Sequence, residues 1–168
     1  MEIRILREND AAAWWDLRLE SLLNEPLAFG KTVEEHRAIT LETISVRLRD
    51  AGNGTLYLGA FEGDRLIGMM TFVRDTGAKD RHKGRIFGVY VTVAFRGKGV
   101  GRALLAELLE RAKQDLSLEH ILLAVATTQT AAKRLYREFG FETYGTELRA
   151  LKTGSMYSDE SYMVLRIR

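Results

Sequence analysis

At 168 residues, with 46% hydrophobic and 29% charged side chains, the chain has ordinary globular make-up and is long enough to bury a core without staples. The absence of cysteine rules out a disulfide framework, a thiolate zinc site and a cysteine nucleophile together. The 25 basic and 23 acidic residues leave a net charge of +2, dispersed rather than gathered into the one-sided stripe of a nucleic-acid binder.

Residues 2–7 alternate polar and apolar side chains and predict a strand, without the unbroken apolar core of an export signal. No apolar stretch approaches the roughly 20 residues of a bilayer span. A cytoplasmic protein with no membrane partner is therefore expected. Asp10 can cap a helix reaching about Asn24, with Trp14, Leu17 and Leu22 near one face, and Pro26, the only proline, ends it. A second helical stretch is expected over 32–50, broken near Ile39-Thr40. After the Gly52-Asn53-Gly54 loop, residues 55–61 and 65–73 read as strands joined by the tight turn Glu62-Gly63-Asp64. Lys79, Arg81, Lys83 and Arg85 then alternate along a short segment, either a solvated loop and strand edge or a rim that attracts an anion.

Residues 85–93 are rich in β-branched and aromatic side chains and predict a strand. A glycine loop follows, then a helix over 99–115 in which Val100, Leu104, Leu108 and Ala112 repeat every four. A buried strand over 120–126, a short helix over 131–139 stopped by Gly140, and strands over 141–151 and 159–167 complete the chain. The order βααβββαβαββ implies antiparallel pairing of the consecutive strands and a parallel crossover between 85 and 126. The expected class is α/β (α+β): a mixed, mostly antiparallel central sheet with helices on both faces, one domain over 1–168.

The loop Arg96-Gly97-Lys98-Gly99-Val100-Gly101-Arg102 lies between a predicted strand and a predicted helix. Glycine lets the backbone turn tightly and approach a ligand. The first N–H groups of a helix have no internal partner and sit at the positive end of its dipole, so a pyrophosphate is their natural guest. A P-loop is excluded, because Gly97-Lys98 is followed by Gly99 and not by Ser or Thr. A dinucleotide fingerprint is excluded, because Arg102 stands where it needs glycine and Glu119 precedes the next strand instead of ending it. On the glycines alone, a tight turn with no ligand remains open.

Arg96-x-x-Gly99-x-Gly101 resembles the signature loop of the GNAT acetyltransferases, where Arg or Gln precedes Gly-x-Gly or Gly-x-Ala. Further on, Gln129-x-x-Ala132-x-x-Leu135-Tyr136-x-x-Phe139-Gly140-Phe141 resembles that family's second motif, Asn-x-x-Ala-x-x-Leu-Tyr-x-x-x-Gly-Phe. Val89-Tyr90-Val91-x-Val93 is similar to the family's segment before the loop, and Pro26-Leu27-Ala28-Phe29-Gly30 with Glu34-Glu35 to its acceptor segment. In two places the chain departs from the family: Gln129 replaces the frequent asparagine, and Arg85 stands about where many members carry a glutamate base.

The resemblance implies the GNAT fold and acetyl-CoA as acyl donor, with no metal. It places the cofactor on Val91, Val93, Arg96, Gly97, Lys98, Gly99, Val100, Gly101, Arg102, Gln129, Ala132 and Tyr136. It makes the Val91 N–H the oxyanion donor and Tyr136 the acid for the leaving thiolate, Tyr136 being otherwise a core aromatic. It also implies that the strand before the loop bends away from its neighbour, so that backbone groups around Val91 and Val93 pair with the pantetheine arm. Phe29, with Glu34 or Glu35, would receive the acceptor: a small amine, an amino acid, an antibiotic, or a protein N-terminus or lysine. Adjacent helical residues point about 100° apart, so one glutamate at most faces the cleft squarely. The titratable candidates for base are Glu34, Glu35, His36 and His82, with a water chain ending on a carbonyl or carboxylate preferred. A non-catalytic acyl-CoA-binding regulatory module is the alternative, and a homodimer through the final strands is one option for assembly.

Overall fold

One sheet of seven strands organises the described residues, 1–52 and 54–167, of the computed structural model. Asn53, in the expected glycine loop, lies outside them, as does Arg168. The strands are β1 (Glu2–Ile5), β2 (Thr55–Glu62), β3 (Arg65–Arg74), β4 (Lys83–Val91), β5 (His120–Ala126), β6 (Glu142–Thr153) and β7 (Met156–Arg166). The helices are α1 (Ala11–Asn24), α2 (Val33–Arg37), α3 (Leu41–Arg49), α4 (Val100–Lys113) and α5 (Thr130–Glu138). The sheet runs β1-β2-β3-β4-β5-β7-β6, and the β4–β5 pair is its parallel contact.

The expected order is found, with the second helical stretch resolved into α2 and α3. The break falls at 38–40, where the Thr40 hydroxyl accepts from the Thr43 N–H and starts a new helix. The final hairpin is longer than its pattern indicates. Buried Ser158 and Ser161 face inward on β7 and disguise its alternation.

Helices cover both faces. On one, α4 buries Val100, Leu104, Leu105 and Leu108 against Leu58, Ile67, Met70 and Ile86 of the sheet. Its four-residue repeat makes one apolar stripe, and each buried leucine contributes about 1.5–3 kcal/mol. On the other, Leu17 of α1 and Ile44 and Leu48 of α3 pack on Leu66, Met69 and Tyr90.

The β4–β5 ladder begins at Lys83↔His120 and stops at Ile86↔Leu123. Beyond it β4 continues with β3, and β5 with β7. The divergence coincides with a bulge. Between the Thr71↔Phe87 and Met69↔Tyr90 pairs, β3 has only Met70, whereas β4 has Gly88 and Val89. Gly88 takes φ +57, a left-handed conformation that glycine adopts without penalty, and the strand bends there.

Gly84 lies within the short parallel ladder, and a Cβ there would sit 2.2 Å from the Phe72 ring. Gly84→Ala is expected to lower stability by about 1–3 kcal/mol through overpacking, read as a shifted urea midpoint with an unchanged m-value.

Candidate functional site

The splayed strands open a cleft of about 960 Å³, walled by β4 from Arg85 to Val91 and by β5 from Leu122 to Ala126. The glycine loop and α5 close one end, through Gly99, Gly101, Gln129, Ala132 and Tyr136. The other end is built from Arg18, Phe29, Lys31, Tyr144, Glu160 and Tyr162, residues far apart in sequence.

Gly99 is the residue before α4, at φ +83 and ψ 1, and the first bond back to it is from Ala103 N–H, 2.9 Å. The N–H groups of Val100, Gly101 and Arg102 thus precede the helical ladder and point out of the α4 N-terminus. A Cβ on Gly97 or Gly99 would meet nothing within 4 Å, whereas one on Gly101 would reach Leu135 at 3.4 Å. Gly97 and Gly99 face open space, and a Cβ at Gly101 would make ordinary contact with α5.

Backbone direction alternates along a strand, and Thr92 N–H donates to the Ile67 carbonyl of β3 at 2.9 Å. The Val91 N–H and C=O therefore face the cleft. Arg96 Nε donates to that Val91 carbonyl at 3.0 Å, and Arg96 Nη1 to Glu25 Oε1 at 2.8 Å. Glu25 Oε2 in turn accepts from Gln129 Nε2 at 2.9 Å. One carboxylate at the end of α1 thus joins the glycine loop to the start of α5. Gln129, the departure from the family pattern, spends its amide on this contact.

Tyr136 is buried against Phe141 and lines the cleft. Burial pushes its hydroxyl pKa up, so it stays protonated across the physiological range. Arg102 pairs with Glu138, and Lys98 lies over the Phe95 ring, outside the cleft wall. Val93 is beyond the strand, in a turn over Val93–Phe95, and its carbonyl accepts from Arg96 N–H at 3.2 Å. β4 ends at Val91, so the expected edge runs through Val89 and Val91 and not through Val93.

The acceptor-side expectations divide. Phe29 lines the cleft. Glu34 faces a smaller adjoining hollow, and Glu35 caps α2, accepting from Thr32 N–H at 2.8 Å. A side chain held in that reciprocal cap is not directed into the cleft. His36 is buried between Trp14 and Trp15, its Nε2 2.9 Å from the Trp15 carbonyl oxygen, and burial lowers its pKa. His82 packs on His120 beyond the far end of the parallel ladder. With Glu119 these histidines bring ligand-type atoms within 4.8 Å of one another, remote from the cleft. Arg85 lines the cleft, forked onto Asp75 by bonds of 3.1 Å.

The sequence reading missed Glu25 and Arg18, and it gave Glu160 no role of its own within a last hairpin that in similar proteins packs beside the acceptor site. Arg18 had a signal: Trp14, Leu17, Ser21, Leu22 and Glu25 share its helical face, so a charged residue stands on an inward stripe. Burial alone pulls its pKa down, to about 10, and it remains a cation at neutral pH. Glu160 lines the cleft on β7, and burial, with Glu147 nearby, raises its pKa. Among the described residues no helix is long and apolar enough to cross a membrane.

The Acetyltransferase (GNAT) family profile matches residues 14–141. The chain is 34% identical over 93 residues to N-alpha-acetyltransferase RimI of Mycobacterium tuberculosis, a match covering 55% of this chain and 56% of that protein. It is 30% identical over 118 residues to the L-amino acid N-acetyltransferase AaaT of Escherichia coli, covering 70% and 71%. The chain therefore spans only about half the length of the mycobacterial relative. Among solved structures, a GNAT-family acetyltransferase from Streptococcus pneumoniae superposes with a TM-score of 0.88 at 25% identity, covering 99% of both chains. YncA, a putative acetyltransferase from Salmonella typhimurium solved with its cofactor acetyl-CoA, shares the fold with a TM-score of 0.83 at 22% identity, covering 100% of this chain and 94% of that one.

A carboxylate whose pKa rises on folding weakens the fold once it ionises, so Glu160 is a destabilising group above the carboxylate range and neutral in effect below it. Glu160→Gln should raise Tm near pH ~8 and leave it unchanged below about pH 4, where the wild-type carboxyl is protonated in both states. Thermal melts at the two pH values check the sign.

Proposed function

The chain belongs to the GNAT acetyltransferase family, and on that footing we propose that residues 1–168 act as one domain that transfers the acetyl group of acetyl-CoA to a primary amine by direct attack on the thioester. The observation that carries this reading is the free edge of β4 running from the α4 N-terminus into the cleft. A donor laid along that edge meets what it requires in order. Its pyrophosphate takes the N–H groups of Val100, Gly101 and Arg102 at the positive end of α4, with Arg96, Lys98 and Arg102 adding positive charge around Gly97 and Gly99. Its amides pair with Val89 and Val91 as an added strand, and Ala132, small and cleft-lining, leaves room beside them.

Chemistry then follows from the same placement. The amine nitrogen bonds to the thioester carbon, and the carbonyl oxygen gathers negative charge that the Val91 N–H stabilises. The carbon–sulfur bond breaks, the thiolate takes a proton from the Tyr136 hydroxyl, and the new amide nitrogen sheds its second proton, which restores Tyr136. Burial keeps that proton on Tyr136 until it is needed. The ammonium must first lose a proton to expose its lone pair. Glu160 is the cleft carboxylate whose proton affinity is raised, and we assign it the end of a water-relayed path from the amine. This gives the base role to β7, in place of the glutamate that Arg85 displaces. The acceptor is an amine. The relatives named above act, by name, on α-amino groups and on L-amino acids. A hydroxyl-bearing acid in the cleft favours turnover over a binding-only module.

Gly99→Val would place a branched side chain at φ +83 and in the open space of the loop. A folded protein is expected, with lower Tm and acetyl-CoA binding abolished in calorimetric titration; retained affinity would remove the cradle from the reading. Tyr136→Phe should lower turnover by roughly 10²-fold with acetyl-CoA affinity nearly unchanged, followed as free-thiol release. Wild-type-like release would return Tyr136 to a packing role.

A further inference from the structure

The arginines of the cleft are not alike. Arg85 is paired with Asp75, Arg96 with Glu25 and Arg102 with Glu138. Arg18, by contrast, has no carboxylate partner among the described residues. Its guanidinium lies 4.4 Å over the Phe29 ring, and its one hydrogen bond to a side chain is a long 3.4 Å contact to Ser21 Oγ. A guanidinium is a planar fork of donors, and half-buried with one long bond to a hydroxyl it carries a largely uncompensated desolvation cost. The aromatic face offsets part of that cost. Nη1 gives only that long bond, and Nε and Nη2 have no hydrogen-bond acceptor among the described residues.

The fork is placed against the bulge. A Cβ on Gly88 would be 3.9 Å from Arg18 Nη1, and Arg18, Phe29 and Gly88 all line the cleft. Three residue steps lead from Gly88 to Val91, about 10 Å along β4. Hydrogen bonds at the two ends, thioester oxygen to Val91 N–H and guanidinium to its anion, take up roughly 3 Å each. Only a few ångström remain between the attacking nitrogen and the anion. Lys31 adds positive charge to the same end, and Glu160 supplies a negative group on the opposite wall.

We propose that Arg18 is the carboxylate receptor of the acceptor site, and that the acceptor is a free α-amino acid whose carboxylate forks onto Arg18 while its amine faces the thioester. This rests on the acyltransfer reading and narrows it. A zwitterion of that size matches a cleft end with a cation at the bulge and a carboxylate across from it. A protein N-terminus fits poorly, because its α-carboxyl is already a neutral peptide group and leaves the guanidinium unpaired. An isolated amine leaves it unpaired as well.

The test uses the purified full chain with acetyl-CoA. Free-thiol release is measured for a panel of L-amino acids, their carboxamides and short peptides with free N-termini, alongside calorimetric titration of acetyl-CoA. At least one free amino acid should be acetylated, with kcat/KM at least about 10²-fold above that of its carboxamide. Arg18→Met should collapse that acid-to-amide ratio toward one through the acid, without changing acetyl-CoA affinity, and Arg18→Lys should restore part of it. The wild-type ratio needs no variant, so a variant that fails to fold does not blunt the test. A carboxamide or peptide used as well as the free acid overturns the proposal, as does acetyl-CoA binding with no amino acid acetylated. Absence of acetyl-CoA binding would sink the acyltransfer reading itself, and this one with it.

Discussion

A strand that leaves its neighbour inside a sheet exposes backbone donors and acceptors that something else must satisfy. Here that strand is β4, and the exposed edge runs from the bulge at Gly88 to Val91. The rest of the structure is arranged around this constraint. α4 and α1 hold β4 from its two faces, so the edge stays open without the sheet falling apart. Arg96 satisfies the Val91 carbonyl and leaves its N–H directed at the cleft. An edge strand at the rim of a sheet invites aggregation. An edge in the middle of one, walled by β5 and floored by helices, is available only to a ligand narrow enough to enter.

Charge is distributed to match. The donor end gathers Arg96, Lys98 and Arg102 around a helix N-terminus, with Glu25 and Glu138 fixing the two arginines nearest the cleft. Glu25 also holds Gln129, so α1, the glycine loop and α5 meet on one carboxylate. The acceptor end inverts the arrangement, with a cation at Arg18 that has no carboxylate partner among the described residues and a carboxylate at Glu160 whose ionised form burial disfavours. Groups held near the limit of their stable charge state are the ones a reaction can use.

Much of this was legible in the sequence. Alternation and the four-residue repeat located the strands and α4, because one face of each is buried and the pattern follows from that burial alone. The glycine loop and the Gln129–Phe141 segment were legible because their chemistry is local: a turn, a helix start and one buried tyrosine. Boundaries at β7 were blurred by buried Ser158 and Ser161, which read as surface. The acceptor end was hardest to read. Glu34-Glu35 looked like a recognition pair, yet Glu35 is consumed by a helix cap, a bond that competes locally with any distant role. Arg18 and Glu160 acquire meaning only when helix α1 and strand β7 are brought to the same cleft, a juxtaposition no local pattern encodes. The bulge at Gly88 left no more trace than one glycine in a β-rich run.

The hydrogen bond from Thr153 Oγ1 to the Pro26 carbonyl spans 127 positions of chain. It belongs to the seam where the segment after α1 meets the last hairpin, with Gly30 against Leu151 close by. The donor end, by contrast, is drawn mostly from the stretch between β4 and α5, with Glu25 tied to it from the end of α1. Closing a long loop costs entropy before any contact rewards it. During folding the donor pocket can therefore form from its own neighbourhood, while the acceptor pocket waits for both ends of the chain. Distance along the chain, as well as space, separates the two halves of the cleft: one is built mostly from neighbours in sequence, and the other joins the two ends of the chain.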